Sequence, residues 1–261
     1  MTVGSETASN GGFRVQVAAT AKEAADNANR GAVSLLRSLL ATQPVVRVMF
    51  AAALSQEEFL VGLRREPGIS WSRLEAFQLD EYVGLPVGHP ASFAEWLRSR
   101  LFDFVRPRAI FALDSGAPDA EAECERYSAW LAEAPMDVAF VGIGENGHLA
   151  FNDPGVADFD DPRLARVVLL HSASRMQQVH DGAFAGVESV PARAMTVTVP
   201  AIMRARHVAL LATGPRKKGA VATMLQGPVS ESCPATILRR HPDVAVYLDQ
   251  GAAAGNARTS K

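Results

Sequence analysis

The sequence predicts an α/β fold, a mainly parallel sheet covered by helices on both faces. Short apolar runs rich in Val and Phe recur along the chain, longer stretches with helical spacing lie between them, and the two alternate from end to end. Such alternation is what strand–helix–strand crossovers produce, and strands covered on both faces read as unbroken apolar runs. The length of 261 residues suits one large domain. No internal repeat, low-complexity tract or linker divides it, so one α/β domain is expected over residues 13–250.

The elements follow in order. Residues 13–17 read as a first strand, and residues 21–40 as a helix opening on Lys22 and Glu23. A second strand over 45–51 leads to a helix over 55–65, with Ser55 as its N-cap. A third strand over 74–79 ends in Asp80-Glu81. The helix over 92–105 gathers Phe93, Trp96, Leu97, Leu101 and Phe104 on one face. Strands over 109–113 and 137–141 bracket a helix over 119–134. Further strands are expected near 166–170, 194–199 and 208–212, then a helix over 216–225 and a last strand over 244–248. Residues 195–202 beside 207–212 suggest an added antiparallel pair. Residues 1–12, polar and small, read as neither signal peptide nor strand, and with 251–261 they are expected to be disordered ends.

Composition narrows the function. With 48% hydrophobic and 21% charged residues the chain is an ordinary soluble globule with a sizeable core. A net charge of −2 gives no electrostatic reason to expect nucleic acid or an anionic membrane as partner. No apolar run approaches the roughly 20 residues of a membrane span. Cys124 and Cys233 lie far apart and have no metal-ligand spacing, so reduced thiols and a cytoplasmic location are expected.

The chemistry concentrates in two loops. The first is Gly142-Ile143-Gly144-Glu145-Asn146-Gly147-His148-Leu149-Ala150-Phe151-Asn152-Asp153-Pro154, directly after an apolar run. It sets a histidine, a carboxylate and a side-chain amide in a glycine-rich turn at a strand's carboxyl end, where open α/β sheets bind ligands. A neutral ring nitrogen beside a carboxylate is what proton shuttling at neutral pH requires. The plainer alternative for His148 is a ring satisfied by a backbone carbonyl. The run formally matches the dinucleotide pattern G-x-G-x-x-G, but the segment closes on Pro154-Gly155 instead of opening a helix. Without that helix the pattern has no pyrophosphate to hold, and no nicotinamide or flavin is expected.

The second loop follows Phe77-Gln78-Leu79 with Asp80-Glu81-Tyr82-Val83-Gly84-Leu85-Pro86. Adjacent side chains in extended backbone point opposite ways, so one carboxylate alone can face a pocket above the strand ends. Asp80 is assigned to it and Glu81 to a structural place, against the plain reading of a solvated acidic pair. Of the other five histidines, His89 and His241 each precede a proline in a turn, and His171, His180 and His207 have no matching partners nearby in sequence. No His/Cys/Asp cluster has zinc spacing, and the serine-nucleophile elbow G-x-S-x-G is absent from the sequence. Neither metal nor organic cofactor is expected.

Together the two loops resemble the glucosamine-6-phosphate deaminase (isomerase) family. The match extends through His89-Pro90-Ala91-Ser92-Phe93 and through Ser232-Cys233-Pro234-Ala235-Thr236-Ile237-Leu238 with His241-Pro242, covering roughly residues 13 to 250. The resemblance implies a Rossmann-like three-layer αβα sandwich with a mainly parallel central sheet and a few extra strands. It implies ring opening, proton transfer between C2 and C1 through an enolamine, and expulsion of ammonia from an amino-sugar phosphate. Asp80 matches the carboxylate that moves the C1/C2 proton, and His148 the ring-opening histidine. Asp153 stands where the family usually has the longer glutamate, and Asn146 where some members have aspartate; both would orient the imidazole. Gly147 is grouped with the substrate-binding residues.

The phosphate site departs further from the family. The usual Gly/Ser/Thr-rich loop after the second strand is here Phe50-Ala51-Ala52-Ala53-Leu54-Ser55-Gln56. Ser55 keeps a hydroxyl at a helix start, while Ala53 and Leu54 carry Cβ atoms where glycine would permit positive φ and close approach. Lys217 matches the family's C-terminal lysine, and as a cation at a helix N-terminus it opposes the dipole unless an anion is bound nearby. The family's lid arginine falls at Asp181, with Arg175 as the nearby substitute. The expected partner is therefore a small-molecule sugar phosphate, and a homo-oligomer is admitted without being required. The leading expectation is an aldose–ketose isomerase/deaminase. Behind it stand the same chemistry on a related sugar or sugar acid, a phosphogluconolactonase-like hydrolase, and a non-catalytic sugar-binding regulator.

Overall fold

A computed structural model of the chain describes residues 7–10 and 12–253. In chain order the strands are β1 (Thr7–Asn10), β2 (Phe13–Ala18), β3 (Val46–Phe50), β4 (Leu74–Gln78), β5 (Asp80–Tyr82), β6 (Ala109–Phe111), β7 (Val138–Val141), β8 (Ala165–Leu169), β9 (Arg193–Val197), β10 (His207–Ala212) and β11 (Val244–Asp249). The α-helices are α1 (Ala21–Thr42), α2 (Glu57–Leu63), α3 (Phe93–Leu97), α4 (Asp103–Val105), α5 (Ala120–Ala132), α6 (Ser172–His180), α7 (Val199–Met203), α8 (Lys218–Gln226) and α9 (Gln250–Ala253). The large sheet runs β1-β2-β11-β10-β7-β3-β4-β6, parallel throughout except for β1 at its edge. The three-layer αβα sandwich expected from the sequence is present.

Strand pleating distributes the core between two layers. Val46, Val48 and Phe50 of β3 pack under Ala28, Leu36, Phe59 and Leu63 of α1 and α2, while Met49 turns to the opposite face with Tyr127 and Leu131 of α5. All four apolar residues of β3 are essentially inaccessible to water, which for side chains of this size stabilises the fold by about 1.5–3 kcal/mol each. Helix α1 begins where Thr20 accepts the amide of Glu23 and the Glu23 carboxylate reaches back to the Ala19 amide, satisfying two donors the helix itself leaves open.

A second, antiparallel sheet of order β5-β9-β8 lies at the carboxyl end of the first. The chain leaves the parallel sheet at Leu79, whose carbonyl accepts the Val197 amide, and re-enters as β5 with Asp80 opposite Thr196. Thr196 is fully buried, and its hydroxyl accepts the Phe151 amide at 3.1 Å. One side chain thus ties the strand bearing Asp80 to the loop bearing His148.

Several expectations need correction. Residues 195–202 and 207–212 do not pair with each other: β9 joins the small sheet, residues 199–203 turn into α7 behind a Thr198 cap, and β10 sits in the large sheet between β7 and β11. Thr7–Asn10, expected as disordered, pairs with β2 as an antiparallel strand, and Gln250–Ala253 is helical. The remainder of the expected disordered ends, residues 1–6, 11 and 254–261, falls outside the described residues. Ser55 caps nothing, because a short 3-10 turn over Leu54–Gln56 intervenes before α2. Between α3 and α4 a π-helical stretch, Arg98–Phe102, shifts the apolar register, so that Phe102 is buried and Phe104 lies 61% exposed under the Arg64 guanidinium.

The Thr196→Val variant keeps the shape but leaves the buried Phe151 amide without its acceptor. It should lose about 1–3 kcal/mol, read as a lower urea midpoint at unchanged slope. An unchanged midpoint would remove Thr196 as the tie between the two loops.

Candidate active site

Strand order reverses between β3 and β7: from β3 the chain proceeds outward through β4 to β6, then returns to place β7, β10 and β11 on the other side. A cavity of about 480 Å³, open to solvent, lies above the carboxyl ends at this switch point, as expected for open α/β sheets. Asp80, His148, Ser55 and Lys217 all line it, each from a different strand end. Phe93 and Phe151, stacked 5.6 Å apart, form an apolar wall.

His148 is held from below. Its Nδ1 lies 3.0 Å from Asp153 Oδ1 and 2.9 Å from Ser174 Oγ. Asp153 is fully buried, and Asn146 Nδ2 at 2.8 Å, the Ser174 hydroxyl and the His171 amide also donate to it. Burial alone would raise this carboxyl, but the bond and charge of His148, with the Asn146 and Ser174 donors, outweigh it and hold Asp153 at about 2. An ionised Asp153 accepts the Nδ1 proton, so the network assigns the lone pair to Nε2, which has no protein partner among the described residues. The shorter aspartate therefore does reach the ring. Asn146 acts through Asp153 and through the His148 amide, which donates to its side-chain oxygen at 3.2 Å, and does not touch the imidazole.

The glycines of this loop make room. A Cβ on Gly144 would fall 2.2 Å from the His148 ring, so the imidazole lies flat against bare backbone. Gly147 has φ +90° and would drive a Cβ into Cys233 Sγ. Gly147, expected among the substrate-binding residues, is not part of the cavity lining, and its amide and carbonyl bond to Gly144 and Ala235. Just beyond the histidine, Ala150 adopts φ +50° in the turn closed by the Asn152 amide on the Leu149 carbonyl. That is a position glycine usually takes.

The two carboxylates of the second loop face apart, as the alternation of extended backbone requires. Glu81 accepts the Ser92 hydroxyl at 2.7 Å and the amides of Phe93 and Ala94, closing the N-terminus of α3. Asp80 lines the cavity with no hydrogen-bond partner for its carboxyl among the described residues. Burial first, and the charge of Glu81 second, hold Asp80 well above the ordinary aspartate range.

Lys217 is only 8% exposed, and no carboxylate lies within ion-pair reach of its ammonium among the described residues. Burial lowers it, against the more distant charges of Asp181 and Glu145. The neighbouring Arg216 takes those acids instead, at 2.9 Å to Glu145 and 3.5 Å to Asp181. Ala53 has φ −162°, extended backbone open to any residue, and Leu54 is half-exposed and outside the lining. The alanines therefore neither strain the loop nor close it. Arg175 donates to the carbonyls of Val187 and Val190, so it does not replace the lid arginine.

Helix α6, absent from the elements expected from the sequence, covers the site. Ser174 braces the His148–Asp153 pair, the Gln177 side-chain oxygen accepts the Glu145 amide at 3.0 Å, and both Gln177 and Gln178 line the cavity. Its sequence carries no apolar stripe; the available signal was Ser and Gln at 174, 177 and 178, spaced to share one helical face. Among the described residues no cluster of His, Cys, Asp and Glu could hold a metal ion, and no helix is long and apolar enough to cross a membrane.

The depressed Asp153 predicts an acid limb in stability. Its contribution is full above the ordinary value of 3.8 and is lost as pH falls through about 2. The stability gap between wild type and Asp153→Asn, followed by urea unfolding, should narrow by about 2 kcal/mol over that window. A gap independent of pH would mean that Asp153 is not ionised in the folded protein.

Comparisons with known proteins give the family and the fold. Residues 19–246 match the model of a family described as glucosamine-6-phosphate isomerases/6-phosphogluconolactonase. Over 188 residues, 72% of this chain and 70% of each relative, the sequence is 39% identical to a glucosamine-6-phosphate deaminase of Bacillus cytotoxicus and 40% identical to one of Bacillus cereus. The fold superposes on a monomeric glucosamine-6-phosphate deaminase of the NagB superfamily with TM-score 0.84 and 30% identity, covering 92% of this chain and 98% of the other. A 6-phosphogluconolactonase of Thermotoga maritima shares the fold alone, with TM-score 0.74 at 18% identity over 91% of this chain and 99% of the other. The chain belongs to the glucosamine-6-phosphate isomerase/6-phosphogluconolactonase family of enzymes.

Proposed function

We propose that the protein converts glucosamine 6-phosphate and water to fructose 6-phosphate and ammonia. The observation that carries this reading is the convergence of the Asp80 carboxyl, the free Nε2 edge of His148 and the unpaired Lys217 ammonium on one sugar-sized cavity. The name borne by relatives at about 40% identity supports it.

His148 Nε2 takes the proton of the C1 hydroxyl and returns one to the ring oxygen, opening the pyranose. Asp153 balances the transient imidazolium, and Asn146 and Ser174 keep its carboxylate aimed at Nδ1. Asp80 then removes the C2 proton and delivers it to C1 through the enolamine, and water displaces ammonia from the resulting C2 imine. A carboxyl raised by burial suits this step, because a group that both takes and gives a proton works best when its pKa approaches the working pH. Lys217, with the Ser55 hydroxyl, holds the phosphate; an anion there pairs an ammonium that has no partner among the described residues. Lactone hydrolysis needs no base at C2, and a buried Asp80 facing the cavity favours the isomerase/deaminase reading over it. A small metabolite as substrate and two free thiols, Cys124 and Cys233, fit a cytoplasmic enzyme.

Two variants separate these roles. Asp80→Asn should abolish exchange of the substrate's C2 proton with deuterated solvent and lower kcat by about 10²–10⁴-fold; unaltered exchange, seen by NMR, would defeat the assignment. Lys217→Ala should raise KM for glucosamine 6-phosphate by about 10- to 100-fold, the worth of a charged hydrogen bond. Its effect on unphosphorylated glucosamine should be small, and equal effects on both would place the phosphate elsewhere.

A further inference from the structure

The polar groups of the cavity outnumber the roles given to them. Asp80 and His148 serve C1, C2 and the ring oxygen, and Lys217 and Ser55 serve the phosphate. Gln178 remains. It is 7% exposed, projects from α6 into the cavity, and its side-chain amide has no hydrogen-bond partner among the described residues. Its neighbour Gln177 differs, since its oxygen is taken by the Glu145 amide. The Gln178 amide faces the open cavity with its donors and acceptor free of other side chains, available to a ligand. An amide offers both a donor and an acceptor without charge, which suits a sugar hydroxyl and gives no advantage toward phosphate.

We infer that Gln178 is a specificity-determining residue that reads the C3–C4 hydroxyl pair of the open-chain sugar, an inference that rests on the deaminase reading above. Those hydroxyls lie between the carbons worked on by Asp80 and the phosphate gripped by Lys217, and Gln178 is the cavity amide whose oxygen and nitrogen are both without a partner among the described residues, whereas the Gln177 oxygen is taken. Because C3 and C4 do not react, the contact is equal in ground and transition states, so its loss appears in KM and leaves kcat unchanged.

The test uses the intact protein with glucosamine 6-phosphate and its 3-deoxy and 4-deoxy analogues. Gln178→Ala should raise KM for the parent substrate about 3- to 10-fold, with kcat within about twofold. With at least one deoxy analogue the same variant should cause no further rise, the non-additivity that marks a direct contact. Gln178→Met, of similar length and without polar atoms, should behave as the alanine variant does and guards against a packing defect. An unchanged KM, or equal rises for the parent and both analogues, overturns the proposal. Absence of ammonia release by the wild type would sink the deaminase reading alone. Calorimetric binding of glucitol 6-phosphate and its deoxy forms then decides the Gln178 contact by the same criterion.

Discussion

A buried carboxylate has to be satisfied where it stands, and Asp153 organises the site for that reason. Its oxygens collect an imidazole, an amide side chain, a hydroxyl and a backbone N–H, drawn from its own loop and from the start of α6. None of these donors can be spared, since an ionised group cut off from water and left short of partners would take up a proton instead. The same bonds that keep Asp153 charged fix the tautomer of His148 and fasten the covering helix to the loop beneath it. Acid–base chemistry and closure of the cavity thus share one electrostatic anchor.

Around that anchor the ionisable groups divide into satisfied and unsatisfied sets. Glu81 and Asp153 are saturated by donors, and Arg216 is absorbed by Glu145 and Asp181. Asp80 and Lys217 face the cavity without partners, and burial moves both toward their neutral forms. Groups perturbed by burial and left without partners in a cavity mark a functional site, and on the function proposed here the lysine end would take an anion and the carboxyl end a labile proton.

Much of this was legible in the sequence. The strand–helix alternation implies the layers, and the period of two in extended backbone separates Asp80 from Glu81. The glycine-rich turn marked His148; Asp153 lies at its Nδ1, and Asn146 bonds to Asp153 and to the His148 amide. What escaped notice depended on tertiary context. Helix α6 is polar and short, so it presents no apolar periodicity, and its Ser174, Gln177 and Gln178 acquire meaning only once it lies across the cavity. β1 has the composition of a frayed end and becomes a strand by pairing with β2. Val199–Met203, apolar enough to continue a strand, is instead started as a helix by Thr198 and Pro200. Ser55 lost its capping place to one extra turn of tighter helix.

The left-handed backbone of Ala150 carries a consequence of its own. A residue with a Cβ in that conformation stores about 1–2 kcal/mol of torsional strain. Here the strain is pinned on one side by the Gly144 amide on the His148 carbonyl and on the other by the Phe151 amide on Thr196. The segment that presents the imidazole is therefore a loaded spring clamped at both ends. The posture of the ring thus depends on two clamps, one within its own loop and one on β9 of the small sheet.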